Sequence, residues 1–436
     1  MVRRGWLSRS RLFGRLVVLV MVAGVLLAGA SVAHGSARRT SPETAVRATV
    51  NRYLDGRYRS RVTLRAADRR ATVRPTKDTA VAEVFDDLDT AIARRVGCGW
   101  ANYAMRTRFL ELDVAGSTAH VRVRVDVDYH YKKSPGIDSG VYGVDYDMRL
   151  HKTAAGWRIV AISGGDEDLK RFRKAVDARA HLGESVPVAA RSLLRERVAG
   201  LPALVKEMSQ RSASLAAVSA NADVFIGEEP AASSRSYTGS TGSVYAQRFA
   251  TAAKTSRFFY TADNNQDCTN FVSQCVWAAY GGYVIGNDAK TKTNIANKVR
   301  MVKDVWHAGT GGGTAKWEQV NQLWPYATSS NKTRGPMATG YNNNAKYTGI
   351  APADVRVGNV LQVRQKSDVN YQHSVYVSIV VSGPREPASW DRIYVCQHSD
   401  EIKNRMASDL ISKNGGDSVD PCYLRRMSFK SGVFDN

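Results

Sequence analysis

The feature that most constrains the fold is a strict alternation of polar and apolar residues in TAHVRVRVDVDYHY, residues 118–131. Alternation with a period of two predicts a long strand with one buried face and one polar face. The stretches YAMRTRFLELDV before it and VDYDMRLHK and WRIVAIS after it have a similar texture, and a tight TAAG turn joins the last two. We therefore predict an antiparallel meander of about four strands. The predicted buried face carries Val121, Val123, Val125, Val127, Tyr129 and Tyr131, and the opposite face carries His120, Arg122, Arg124, Asp126, Asp128 and His130.

A capped helix precedes this meander. In SPETAVRATVNRYLDGRYRSRV, Ser41 can cap the helix, Pro42 suits the first helical position and Glu43 suits the first turn. A helix followed by a long antiparallel sheet resembles the α+β cone of nuclear-transport-factor-like and cystatin-like domains. This resemblance implies an α+β cone-like domain over residues 41–165. The face with His120 and Asp128 is either a polar pocket or a solvated surface, and the alternation favours the surface.

The N-terminus has the composition of an export signal. MVRRGWLSRSRLFGR is basic, LVVLVMVAGVLLAGA is apolar and SVAHGSA offers small residues for cleavage. We predict a signal peptide over residues 1–37 and a secreted protein, with association with the cell wall left open. The alternative is a retained membrane anchor, although the apolar run is short for a span. Arg3 and Arg4 leave the choice between general and twin-arginine export open.

The rest of the chain divides by composition. Residues 166–242 begin with a charged helical pattern and end in the Ser/Gly/Pro-rich stretch IGEEPAASSRSYTGSTGS, which predicts a linker. Residues 243–436 are rich in Trp, Tyr and Asn and hold four of the five Cys. We predict a second domain there, so that the whole chain is of the α+β class.

The formal net charge of +22 and the sequence pI near 9.9 imply anionic partners. The cations are dispersed rather than gathered into a run interleaved with aromatic residues, so no nucleic-acid partner is expected. For an exported protein, this charge favours attraction to an anionic cell envelope.

Five cysteines in 436 residues do not form a disulfide scaffold, and their odd number leaves one thiol unpaired in the monomer. Cys268 and Cys275 cannot form a disulfide within one helix, because seven residues separate them by about 10 Å. Cys396 with Cys422 is the more plausible bridge.

Cys268 stands at the start of a predicted helix in NNQDCTNFVSQC. Asp267 can cap this helix, and Phe271, Val272 and Cys275 belong to its apolar stripe. A thiol at a helix N-terminus is expected to have a lowered pKa, because the helix dipole and free backbone N–H groups stabilise the thiolate. The same N–H groups can form part of an oxyanion hole. The alternative is that Cys268 is a small buried residue without a chemical role.

A nucleophilic thiol needs a base, and His373 begins the β-branched stretch HSVYVSIV. The next β-rich stretch, DRIYVCQHSDE, is expected to pair with it and offers Gln397 and His398 as a third polar group. A helix-borne Cys, then a His, then a polar residue on the next strand is the order of a papain-like amidohydrolase, in which the third group orients the His ring.

The segments DCTNFVSQC, HSVYVSIV and QHSDEIKNR resemble the putative amidase domain family of Gram-positive bacteria, a branch of the NlpC-type papain-like cysteine peptidases and amidases. The resemblance covers residues 243–436, and DCTNFVSQ is its most specific motif. It implies a papain-like fold, cleavage of amide bonds in cell-wall peptidoglycan or another amide-containing wall polymer, and no cofactor. One departure is Gly358-Asn359, where the wider superfamily has Gly-Asp, which affects a turn.

This resemblance assigns the nucleophile to Cys268 and the general base to His373. The third position corresponds best to His398, with Gln397 as the alternative, because neighbouring strand residues face opposite ways and only one can reach His373.

Three other functions are compatible with the sequence. One is a non-catalytic wall-binding module. Another is an acyltransferase with the same Cys–His chemistry, in which an amine replaces water as the acceptor. The third is a metal site, for which the available residues, Cys396, His398, Cys422 and His307, lack the usual zinc-ligand spacings.

Overall fold

The computed structural model describes residues 41–67, 71–214, 234–251, 267–309, 312–381, 388–414 and 422–435. The predicted signal peptide and residues 215–233, which include part of the predicted linker, lie outside the described residues. From Ser41 onward the chain forms one compact unit. None of the described helices combines the length and apolar composition needed to cross a membrane.

The helices, in chain order, are α1 (Pro42–Thr63), α2 (Lys77–Ile92), α3 (Glu167–Ala180), α4 (Val186–Ser214), α5 (Gly239–Phe249), α6 (Asp267–Ala279), α7 (Asp288–Ala296), α8 (Ala315–Glu318), α9 (Val320–Thr328) and α10 (Ala407–Asn414). The strands are β1 (Trp100–Ala115), β2 (Thr118–Tyr131), β3 (Ser134–Thr153), β4 (Gly156–Gly164), β5 (Ser234–Arg235), β6 (Ala308–Gly309), β7 (Gly312–Gly313), β8 (Gly335–Tyr341), β9 (Val360–Arg364), β10 (His373–Val380), β11 (Ile393–Gln397), β12 (Glu401–Met406) and β13 (Tyr423–Val433).

The predicted helix and meander are confirmed. Ser41 caps α1 by accepting the backbone N–H of Thr44, and Pro42 is the first helical residue. Strands β1 to β4 pair antiparallel in chain order. The valine and tyrosine face of β2 is buried, whereas its other face forms partly exposed ion pairs such as Arg106–Asp128 and Arg124–Asp145.

The two predicted domains share one sheet, which the sequence did not indicate. Strand β3 is 20 residues long, and β4 pairs with only its C-terminal part. The part of the same edge that lies nearer the N-terminus of β3 is therefore free of β4. Strand β12 pairs with this part, with Ile402 opposite Val141. This pairing extends the sheet through β11, β10, β9 and β13, so that eleven described strands form one antiparallel sheet. Pairing between halves satisfies backbone groups that an open edge would expose.

A buried cluster of charges lies where the two halves meet. The carboxylate of Asp168 on α3 lies 2.8 Å from Nη2 of Arg405 on β12, and Asp409 on α10 lies 2.9 Å from Nε of the same arginine. Lys413 on α10 lies 2.7 Å from Asp89 on α2. Burial alone would raise the pKa values of Asp168 and Asp409, but the surrounding cations lower them overall, so both carboxylates stay ionised.

The five cysteines are buried and free, so the expected Cys396–Cys422 bridge is absent. Cys396 lies on β11 and contacts Asn404 through its sulfur. Cys422 lies just before β13, and its thiol donates to the carbonyl of Tyr423. The two thiols are thus held by separate local contacts.

We expect Arg405→Met to lower the free energy of unfolding by about 3–5 kcal/mol, because two buried carboxylates lose a partner. The matched control is Arg59→Met, since the Arg59 side chain is 64% exposed in its pair with Asp55 and exposed pairs contribute less than about 1 kcal/mol. Urea denaturation followed by tryptophan fluorescence measures both. Equal, small losses in the two variants would contradict a stabilising role for the cluster.

Candidate active site

Cys268 is the second residue of α6, a helix whose remaining residues are almost all buried. Its side chain is 4% exposed and lines a cavity of about 880 Å³. His373, the first residue of β10, lines the same cavity. The structure therefore brings the predicted nucleophile and the predicted base to one site, although 104 residues separate them in the sequence.

A hydrogen bond joins the residues that follow these two. Thr269 Oγ1 lies 2.9 Å from Ser374 Oγ, and Gln362 Nε2 donates to the same serine oxygen over 3.0 Å. All three side chains are buried. This contact fixes the start of α6 against the start of β10, and so fixes Cys268 relative to His373.

The pKa of the Cys268 thiol is raised, whereas the sequence led us to expect a lowered pKa. Burial raises the pKa, and the charge of Asp267 adds to this. Hydrogen bonds from the Ser374 backbone and from Thr269 to the sulfur act in the opposite direction, yet the pKa stays above its ordinary value. The expected lowering by the helix N-terminus is therefore outweighed by desolvation, and Cys268 rests as a neutral thiol.

His373 is also neutral. Burial is the main cause that lowers its pKa, to about 3, and the positive charges of Arg171 and Arg405 contribute. Contact with the Gln397 side chain acts in the opposite direction. His373 Nε2 and Gln397 Oε1 are buried, and neither completes a hydrogen bond of ordinary geometry within the described part of the chain.

His398 does not occupy the third position that we expected for it. Its Nδ1 lies 2.6 Å from Asp267 Oδ2, its Nε2 lies 2.8 Å from the carbonyl of Phe249, and its ring stacks on Phe271 with 4.1 Å between centroids. Strand β11 ends at Gln397, whose side chain reaches His373, and the next side chain points elsewhere. Of these two residues, Gln397 is therefore the one whose side chain contacts His373.

Asp267 and His398 form a pair that supports the start of α6. Burial lowers the pKa of His398, but the hydrogen bond and charge of Asp267 more than offset this, and the pKa is raised overall. Both ring nitrogens face acceptors, which suits a protonated ring that donates twice. The other oxygen of Asp267 accepts from Asn270 Nδ2 over 2.6 Å. Asp267 was expected to cap the helix from outside it. Instead, Asp267 is the first residue of α6, and its carboxylate bonds to the side chains of His398 and Asn270.

The opposite wall of the cavity comes from the N-terminal half of the chain. Arg171 and Lys174 on α3 and Leu193 and Arg197 on α4 line the same space as Cys268. These residues fall in a segment whose sequence indicated only charged helix. Nothing in their spacing points to a cavity formed with a strand 200 residues later, so sequence reasoning missed them.

The described residues contain no group of three or more His, Cys, Asp or Glu side chains that could hold a metal ion. The four candidate ligands considered above therefore do not come together: His398, for example, is bonded to Asp267, and Cys396 contacts Asn404.

Comparison with known families bears on this same region. Residues 236–421 match the model of a family described as a putative amidase domain. This stretch is similar to an amidase domain. The matched residues include Cys268, His373 and Gln397, and the similarity suggests a hydrolase that acts on amide bonds. No curated protein sequence matches the chain.

Several solved structures match about a third of the chain. The Kfla4162 protein from Kribbella flavida is 13% identical with a TM-score of 0.21, and the match covers 28% of this chain and 88% of that one. An NTF2-like superfamily protein from Salmonella enterica serovar Typhimurium is 15% identical with a TM-score of 0.21, with coverage of 29% and 95%. A phospholipid-binding protein from Ralstonia solanacearum is 15% identical with a TM-score of 0.22, with coverage of 36% and 98%. Likenesses at these TM-scores carry no argument.

We expect iodoacetamide to alkylate Cys268 more slowly than it alkylates the same residue in urea-unfolded protein at the same pH. The rate should still rise above about pH 8.5, the ordinary pKa of a thiol, because burial disfavours the thiolate. Mass spectrometry of the Cys268 peptide measures it. A rate that reaches its plateau below pH 7 would instead indicate a thiolate–imidazolium pair.

Asp267→Asn should lower the pKa of His398, because the variant removes the charge that raises it. The histidine ring resonances in an NMR titration measure this change, with His398→Gln identifying the signal among the eight histidines. Asp55→Asn on α1 is the charge-matched control and should leave the His398 titration in place. An unchanged His398 pKa in Asp267→Asn would show that Asp267 does not hold the ring.

Proposed function

We propose that the protein is a cysteine amidohydrolase in which Cys268 is the nucleophile, His373 the general base and Gln397 the group that orients His373. The observation that carries this proposal is the meeting of Cys268 and His373 on one cavity, within the residues that match the amidase family. Contact between Gln397 and His373 supports the third assignment.

The reaction begins from a neutral pair. The Cys268 thiol gives its proton to the unprotonated nitrogen of His373 as the sulfur attacks the carbonyl carbon of the substrate. Backbone N–H groups at the start of α6 stabilise the tetrahedral oxyanion. His373 then returns the proton to the leaving amine, and the C–N bond breaks to leave a thioester on Cys268.

Hydrolysis of the thioester repeats these steps with water. His373 takes a proton from the water molecule as its oxygen attacks the thioester carbonyl, and the sulfur leaves with a proton from His373. The products are a carboxylic acid, an amine and free Cys268. No metal ion or cofactor takes part in this cycle.

Gln397 fixes which nitrogen of His373 is available. If its Oε1 accepts from the Nε2–H of His373, the proton stays on Nε2 and Nδ1 keeps the lone pair that takes the thiol proton. An amide can perform this role without bringing a charge into a buried site, where an unpaired ion would be costly.

We further propose that the substrate is a peptide amide of cell-wall peptidoglycan and that the protein acts outside the cell. Support comes from the basic, apolar and small-residue segments of residues 1–37 and from the net charge of +22, which favours an anionic envelope. The resemblance of DCTNFVSQC to wall amidases points to the same substrate class.

The test is release of new amino groups from isolated Gram-positive peptidoglycan. Cys268→Ala should abolish release, and His373→Gln should lower its rate about 100- to 10,000-fold through loss of the general base. Mass spectrometry of the products, with the mass of one added water across the cut bond, identifies hydrolysis. If Cys268→Ala released amino groups as fast as the parent protein, the proposal would fail.

Gln397 can be tested separately. Gln397→Leu should lower turnover about 10- to 100-fold, because the variant leaves His373 unoriented but does not remove it. The matched control is Gln322→Leu on the exposed face of α9, outside the cavity, which should leave turnover unchanged. Equal rates in these two variants would exclude Gln397 from catalysis.

A further inference from the structure

The cavity beside Cys268 opens onto the charge cluster at the junction of the two halves. Arg171 is the member of the cluster that lines the cavity, and its Nη2 lies 2.5 Å from Asp168 Oδ1. Asp168 in turn accepts from Arg405 over 2.8 Å and lies 3.5 Å from Lys413. One carboxylate is therefore shared among three cations.

The cluster carries one positive charge more than its carboxylates neutralise. Its ion pairs, traced through the described residues, link four cations to three anions. The cations are Arg61, Arg171, Arg405 and Lys413, and the anions are Asp89, Asp168 and Asp409. The side chains of the other three cations are nearly buried, whereas that of Arg171 is 23% exposed. Within the cluster, a ligand can therefore approach the surplus positive charge only at Arg171.

Arg171 also has a buried donor to spare. Its Nε has no hydrogen-bond partner within the described ranges. Its charge reaches the reaction site, because it is among the causes that lower the pKa of His373. An anion that contacts the exposed part of this guanidinium would neutralise the surplus positive charge.

Of the other charged groups lining the cavity, two are neutralised by ion pairs and two carboxylates accept backbone N–H groups. Arg179 is paired with Glu196, and Glu167 with Lys170. On the opposite side, Glu318 accepts the Gly313 N–H and Asp368 accepts the Gln365 N–H. Arg197 packs its guanidinium on Phe172, and Lys174 is exposed at the rim.

We propose that the cavity binds substrates that carry a carboxylate near the amide to be cut, and that Arg171, with Lys174 at the rim, binds this carboxylate. The inference rests on the proposed cysteine mechanism and adds a substrate class to it. Arg171 becomes a specificity-determining residue contributed by the N-terminal half of the chain.

Binding of this carboxylate also helps His373 to act. The positive charge of Arg171 disfavours the imidazolium that forms when His373 takes the thiol proton. A carboxylate on Arg171 offsets that charge, so the base becomes stronger when an anionic substrate is present. Arg405, Asp168 and Gln397 also act on His373 and stay in place throughout.

The test uses two alkylating reagents that differ in charge. Iodoacetate and iodoacetamide each transfer a carbon to the Cys268 sulfur with loss of iodide, but only iodoacetate carries a carboxylate. The full-length protein is labelled at pH 8, and the ratio of the two Cys268 rates is divided by the same ratio in urea-unfolded protein. We expect this normalised ratio to be roughly tenfold in favour of iodoacetate, as one partly screened charge pair would give.

Arg171→Gln should bring the normalised ratio to about one, and Arg171→Lys should retain most of the preference, because it keeps the charge. Arg171→Gln leaves three cations for the three carboxylates, so the cluster stays neutral and the fold is preserved. The control is Arg191→Gln, which removes an exposed charge of α4 outside the cavity and should keep the preference.

Two results would overturn the inference, and they differ in what else they imply. If both reagents label Cys268 but the ratio is the same in the parent protein and in Arg171→Gln, Arg171 binds no carboxylate, while the Cys268 mechanism stands. If neither reagent labels Cys268, small molecules do not reach the thiol through this cavity, and both the carboxylate site and the cysteine mechanism fail.

Discussion

The buried charges between the two halves of the chain are the interaction on which the rest depends. Removing an ion from water costs several kcal/mol, and this cost is offset only when good geometry and enough partners surround the ion. Asp168 on α3 and Arg405 on β12 help each other to meet this condition, because each buried charge is one of the partners of the other. The N-terminal half thus belongs to the environment that sets the charge around His373, and its helices form one wall of the reaction cavity.

Local patterns predicted local structure well. The alternation in residues 118–131 gives β2 its buried valine face, and the Ser41-Pro42 signal begins α1 where expected. The junction escaped prediction for a physical reason: the edge of β3 that pairs with β12 looks like any open edge, and partners about 260 residues apart leave no periodic trace. Likewise, the sequence around Asp168 and Arg171 indicates a surface helix, although tertiary contacts partly bury both side chains.

Motif order led to Cys268 and His373, and both line one cavity. The resemblance favoured His398 over Gln397 for the third position, but His398 bonds to Asp267, whereas Gln397 contacts His373. The thiol pKa was expected to fall because the helix N-terminus favours an anion. That argument omits burial, and in this structure the desolvation of Cys268 outweighs the donors around it.

The shared sheet has a mechanical consequence. Strands β3 and β12 are hydrogen-bonded neighbours around Val141 and Ile402, so the two halves cannot swing apart about a hinge unless these bonds break and the ions of the junction separate. Two walls of the cavity are therefore held at a fixed spacing. Any molecule that reaches Cys268 therefore has to fit between walls that do not move apart to admit it.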